Sequence, residues 1–108
     1  LRPSDRFSVV YRSGSSGRAG GIRVIIAPGD EGLPQVGVVA GKAVGNAVRR
    51  NRAKRRIREA LMDTTLFPDT AYIVISSRSV PDVEFSRLKR WLATATAEAM
   101  ERRMDAVR

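Results

Sequence analysis

Seven of the ten residues from Arg49 to Arg58 are basic and none is acidic, in the run Arg49-Arg50-Asn51-Arg52-Ala53-Lys54-Arg55-Arg56-Ile57-Arg58. Residues 42 to 58 carry a net +8, against +2 for residues 1 to 41 and −1 for residues 59 to 108, so the +9 of the chain is one local feature. A polyanion is the partner such a feature meets best, because each neutralised phosphate releases condensed counterions. Folding alone does not ask for it. A solvated helix face would intersperse Glu and Asp to form i, i+4 pairs, whereas like charges on neighbouring turns cost about 0.2–0.5 kcal/mol per close pair. The only acid nearby is Glu59, at the far end. Arg outnumbers Lys six to one in the run, which favours bidentate phosphate clamps and stacking over point-charge attraction. At helical spacing Arg49, Arg52 and Arg56 fall on one flank and Lys54, Arg55 and Arg58 on another, so two strands, or one folded RNA, can be met.

Asn51 interrupts the basic run with an amide. It either braces local backbone or bonds a base edge or ribose hydroxyl. Lys42, in Gly41-Lys42-Ala43-Val44-Gly45-Asn46, has the wrong order of Gly and Lys for a Walker loop. Either the glycines simply make a turn, or the amides at Asn46 to Val48 hold one phosphate beside Lys42. The chain contains no Cys and no His, which removes thiol nucleophiles, disulfides, the usual zinc ligands and the usual general base. It is poorly equipped to be an enzyme by itself. The carboxylates of Asp30-Glu31 and of Asp82 and Glu84 sit at a turn and at a helix start, where solvation and capping account for them.

These residues need a scaffold. At 108 residues and 43 % hydrophobic composition, one domain spanning 1–108 with a single modest core is expected. Ser4 caps a short helix from Asp5 to Ser13, with Phe7, Val10 and Tyr11 on one face and Gly14 ending it. Ser15 to Gly21 reads as a loop with a short edge strand near Arg18, before the strand Ile22 to Ile26. The turn Pro28 to Pro34 leads to a second strand, Gln35 to Ala40, and the two suggest an antiparallel hairpin with a long loop. Asn46 caps a helix from about Ala47 to Met62, with Ala53, Ile57, Ala60 and Leu61 inward and Val44 and Val48 packing its start. Tyr72 to Ser76 is a third strand, reached by a parallel crossover. Asp82 caps a final helix whose stripe is Leu88, Trp91, Leu92, Ala95 and Ala99, with Trp91 read as a core residue. The expected fold class is α+β: a small mixed sheet with helices packed on it. No apolar run approaches membrane-spanning length and no signal-peptide pattern opens the chain, so a cytoplasmic location without membrane contact is expected. The first residue, Leu1 and not Met, leaves room for a short preceding piece.

Lys42, Gly45, Asn46, Ala47, Val48, Arg50, Asn51, Arg52, Lys54, Arg55 and Arg58 together resemble the signature of the bacterial ribonuclease P protein subunit. The opening from Ser4 to Gly14, and the Tyr72 to Ser76 strand with its following helix, extend the resemblance over nearly the whole chain. It implies a noncatalytic protein cofactor of a ribozyme in tRNA processing, with the order αβββαβα and a left-handed βαβ crossover, against the usual right-handed preference. It further implies that the basic helix meets the catalytic RNA through Arg50, Asn51, Arg52, Lys54, Arg55 and Arg58, with Lys42 and Asn46 nearby. A cleft between the first helix and the sheet would hold the 5′ leader of precursor tRNA. Phe7 and Tyr11 match its aromatic positions, where flat rings contact single strands without demanding a sequence, or else pack the helix on the sheet. The strand position facing this cleft, often aromatic in the family, is Ile25, and Ala43 stands where many members carry a second Lys. Endonucleolytic hydrolysis, by this resemblance, belongs to the RNA subunit and its Mg²⁺ ions; whether the protein also binds metal is left open.

Another structured-RNA binding protein, such as a ribosomal one, would share the basic helix but need not carry the unbroken motif. A DNA-binding protein would be expected to show a helix-turn-helix or dimeric arrangement, and neither is visible. An autonomous nuclease would need a metal-binding carboxylate cluster.

Overall fold

A computed structural model describes residues 14–106; the helix expected over residues 5–13, with Phe7 and Tyr11, lies outside them. The strands are β1 (Ser15–Ala19), β2 (Ile22–Pro28), β3 (Gln35–Val39) and β4 (Thr70–Ser76), and the helices are α1 (Ala47–Leu61) and α2 (Phe85–Ala106). A single 3-10 turn, Lys42–Val44, precedes α1. The four strands form one mixed sheet in the order β1-β2-β4-β3. Both helices pack on one face of it, so the α+β class expected from the sequence holds.

β2 and β4 are the central strands, and their continuous apolar runs follow from burial on both faces. Toward the helices point Ile22, Val24, Ile26, Tyr72 and Val74, which join Ala53, Ile57 and Ala60 of α1 and Leu88, Leu92, Ala95 and Ala99 of α2 in the main core. Away from the helices point Ile25, Ala27, Ala71 and Ile73, with Val39 and Ile75 half-buried beside them. The Tyr72 ring is fully buried, and its hydroxyl accepts a bond from the Phe67 N–H at 2.8 Å, satisfying a polar group that would otherwise be costly there.

The expected β2–β3 hairpin does not form. β2 pairs antiparallel with β1 on one side and β4 on the other, while β3 pairs with β4 in parallel. The intervening turn explains why: instead of closing a hairpin it crosses over the start of β4 and is fastened there. The Gly29 N–H donates to the Asp69 carbonyl, the Asp69 N–H to the Gly32 carbonyl, and the Gly32 N–H to Asp69 Oδ1 at 2.6 Å. Asp69 adopts φ 57°, a left-handed conformation that Asp tolerates better than most residues. The parallel β3–α1–β4 crossover and the edge strand around Arg18 match expectation.

Two local expectations are also corrected. Val48 is exposed and only Val44 is buried at the start of α1, because Val48 falls on the side of the helix away from the sheet. Asp82 does not cap α2; the Leu88 N–H bonds the Glu84 carbonyl and α2 starts at Phe85, while Asp82 belongs to a turn in which the Val83 N–H reaches the Ser79 carbonyl. Trp91 is half-buried and packs beside the main core, over the β1–β2 turn at Gly20.

The helix α2 lies directly on β1. A Cβ on Gly17 would stand 2.1 Å from the Ala95 carbonyl oxygen and 2.6 Å from the Ala99 nitrogen, so strand and helix touch backbone to backbone. Gly17→Ala is therefore expected to destabilise the fold by about 1–3 kcal/mol, the range for overpacking a tight site. A thermal melt checks it; an unchanged midpoint would mean that α2 can slide without loss.

Candidate nucleic-acid interface

The α1 helix exposes charge because only a narrow stripe of it is apolar. Ala53, Ile57 and Ala60 are buried, and basic side chains occupy most of the remaining circumference. Its start is well made: Asn46 caps it, accepting the Arg49 N–H on Oδ1 at 3.0 Å. Gly45, at φ 133°, makes the turn before it, and its carbonyl accepts from Arg50 Nε at 3.1 Å. Asn46 therefore already has a structural task, whatever it contributes to ligand.

The basic residues divide into two groups. Arg49 and Arg56, on one flank, are bound to the segment between β4 and α2. Arg49 grips both oxygens of Asp82, at 2.7 and 3.4 Å, and donates to the Arg78 carbonyl at 3.2 Å and the Val44 carbonyl at 3.3 Å. Arg56 donates to the Val80 carbonyl at 2.5 Å and to the Val83 carbonyl. These two arginines are clamps of the fold, and neither belongs to the motif that carries the family resemblance. The second group is Arg52, Lys54, Arg55 and Arg58, with Lys42 just ahead of the helix. None of the five has a side-chain hydrogen bond or ion pair among the described residues. Asn51, exposed among them, likewise makes no side-chain hydrogen bond there, so the bracing role open to it in the sequence is not used.

These five cations on one helix and its approach form a largely exposed basic surface. A concavity of about 980 Å³ between the end of α1 and the outer side of α2 contains none of them. Such a surface suits an extended anion better than a small molecule. Of the other sequence candidates, Ile25 is buried at 1 % exposure on the sheet face opposite the helices, packed with Ala27, Ala71 and Ile73. The flank Arg49, Arg52 and Arg56 read from the sequence divides in the structure, Arg49 and Arg56 being clamped and Arg52 not; the partners of the two clamps are mostly main-chain carbonyls distant along the chain, which local pattern does not reveal.

The Arg49 guanidinium, by hydrogen bond and charge, holds the Asp82 carboxyl below the usual carboxylate range, with Arg52 and Arg56 adding weaker fields; Asp82 in turn raises Arg49. A carboxyl whose pKa is lower in the folded than in the unfolded chain stabilises the fold above its unfolded pKa, and loses that contribution as pH falls through the folded value. Asp82→Asn is thus expected to lower the melting temperature at neutral pH and to converge with the parent below the ordinary carboxylate range. A constant difference down to strong acid would show that the ion pair is not its source.

Among the described residues no three His, Cys, Asp or Glu side chains converge as metal ligands. No described helix is long and apolar enough to cross a membrane.

Comparison with known proteins places this geometry. The family model described as "Ribonuclease P" matches residues 1–100. The ribonuclease P protein component of Beutenbergia cavernae is 40 % identical over 97 % of this chain and 81 % of its own length, and that of Shouchella clausii is 34 % identical over 82 % and 75 %. The ribonuclease P protein structures of Staphylococcus aureus and Thermotoga maritima superpose with TM-scores of 0.74 and 0.75. They cover 90 % and 85 % of this chain, and 91 % and 89 % of their own, at 23 % and 22 % identity, and so share its fold. The basic helix, the mixed sheet and the match along the chain lead to one assignment: this protein belongs to the family of the bacterial ribonuclease P protein component.

Proposed function

We propose that this chain is the protein subunit of a ribonuclease P holoenzyme, which binds a catalytic RNA and the 5′ leader of precursor tRNA and assists removal of that leader. The observation that carries the reading is the set Arg52, Lys54, Arg55 and Arg58, without hydrogen bond or close ion pair among the described residues, on a helix that Arg49 and Arg56 fasten to the β4–α2 connection. Pre-positioned cations lose little freedom on meeting phosphate, and their mutual repulsion is relieved there. Arg50, Asn51, Lys42 and Asn46 border the same surface; Arg50 and Asn46 also serve the turn before α1, and the Asn51 amide, with no side-chain hydrogen bond among the described residues, can meet a base or ribose.

The leader lies over the sheet face opposite the helices. Phe7 and Tyr11 are the aromatic candidates for stacking on single-stranded bases, and Ile25 contributes to the apolar packing of that sheet face. The polypeptide supplies binding and orientation only. Hydrolysis of the precursor-tRNA phosphodiester between leader and mature tRNA would fall to the RNA subunit, where Mg²⁺ would supply charge stabilisation, to give a 5′-phosphate on the tRNA and a 3′-hydroxyl on the leader. The assembly works in the cytoplasm, without membrane or DNA contact.

The test is cleavage of a precursor tRNA by a bacterial ribonuclease P RNA at low Mg²⁺, with and without the protein. Strong stimulation, with no cleavage by the protein alone, supports the cofactor role. Tight RNA binding without stimulation would favour a general structured-RNA binder.

A further inference from the structure

Arg18 and Arg23 are directly opposed across the β1–β2 pair, and both side chains point to the sheet face away from the helices. Neither has a hydrogen bond or ion pair among the described residues. Like charges facing each other across strands are destabilising, and one charge alone is enough to guard an edge strand. The hairpin that sets this register turns at Gly20-Gly21, with Gly20 at φ 52°, the left-handed value that two-residue turns require. A Cβ there would lie 2.0 Å from the Trp91 ring, so the turn, and with it the Arg pair, is pinned. Beside the pair is a cavity of about 290 Å³, to which Gly21, Ile75, Ser76 and Ser77 also contribute.

The register continues across the sheet. Arg23 pairs with Ile75, and Ile75 with Val39, so Arg18, Arg23, Ile75 and Val39 form one row on the same face. Three strand spacings, about 14 Å, separate its ends. Three residues beyond Val39 stands Lys42, at the approach to α1. A basic edge, a half-buried apolar middle and a basic far end make a track that crosses the sheet from β1 to the helix.

We propose that Arg18 and Arg23 form a second phosphate-binding site, which holds the backbone of single-stranded RNA where it leaves the sheet face at the β1 edge. This rests on the leader path proposed above and gives it a far end. Guanidinium forks are suited to phosphate oxygens, and the apolar middle of the row accepts bases without reading them.

The test uses holoenzyme reconstituted from the full chain and a bacterial ribonuclease P RNA. Binding of precursor tRNA is measured with a long single-stranded leader and with a leader trimmed to its last nucleotide. For Arg18→Gln/Arg23→Gln, affinity for the long-leader substrate is expected to fall about tenfold, with a log–log salt slope shallower by about 1.4, the value for two single-strand phosphate contacts. Affinities for the trimmed substrate and for the RNA subunit are expected to stay unchanged, and Arg18→Lys/Arg23→Lys is expected to keep most of the long-leader affinity. Unchanged long-leader binding overturns the site. So does an equal loss with both substrates or with the RNA subunit, which would put the pair on the catalytic RNA, and so does a loss shared by the Lys variant, which would be structural. If the parent protein shows no leader-length dependence at all, the leader path itself falls, and the site with it.

Discussion

Replacing Arg52, Arg55 and Arg58 together by Ala is expected to weaken binding to ribonuclease P RNA by roughly a hundredfold near physiological salt, and to reduce the log–log salt slope by about 2–3. The three side chains lie on α1 without a hydrogen bond or close ion pair among the described residues, so their removal costs the fold only the weak field of Arg52 at Asp82. Each lost like-charge neighbour relieves about 0.2–0.5 kcal/mol of repulsion. The melting temperature of the triple variant should therefore hold or rise while RNA binding collapses. Affinity titrations at several salt concentrations, paired with melts, read both quantities. A slope unchanged from the parent would remove these residues from phosphate contact, whatever the affinity did.

Arg56→Ala should behave in the opposite sense. Its guanidinium donates to the Val80 and Val83 carbonyls, Val80 itself being fully buried. Truncation leaves two carbonyls of the β4–α2 connection without their charged donor, in a site only partly open to water. Hydrogen bonds to charged groups contribute about 1.5–3 kcal/mol each; allowing for partial exposure, a destabilisation of about 2–4 kcal/mol is expected. For a domain of this size that lowers the melting temperature by at least about 8 °C. The salt slope for RNA should not change under conditions where the variant is folded. A slope reduced by a full unit with little loss of stability would instead make Arg56 a phosphate ligand. The two variants together separate the clamps from the contacts within one basic run.

The basic run, the Asn46 cap, the inward stripe Ala53, Ile57 and Ala60, the apolar strands and the parallel crossover were all legible along the chain, because they depend on local pattern: charge density, side-chain period and turn chemistry. The motif from Lys42 to Arg58 also carried the family, which the match over residues 1–100 bears out. The strand pairing was not legible. Nothing within Pro28 to Pro34 distinguishes a turn that closes a hairpin from one that passes over another strand; the difference lies in hydrogen bonds to Asp69, more than thirty residues away. Asp82 was misread for a similar reason, since an Asp shortly before a helix is locally a good cap, and a guanidinium from α1 drew it elsewhere.

Sequence alone determined that this protein concentrates positive charge on one helix, contains neither Cys nor His, and folds as a small α+β domain of a recognisable kind. Only the tertiary structure decided which cations are available. Arg49 and Arg52 are the same residue type on the same flank, yet one is clamped to Asp82 while the other makes no hydrogen bond or close ion pair among the described residues. Arg18 and Arg23 become a pair only once the Gly20 turn and the sheet register set them opposite each other. The physical reason is common to both cases: a charged side chain's role is set by which groups reach it within hydrogen-bonding distance, and distant parts of the chain supply those groups.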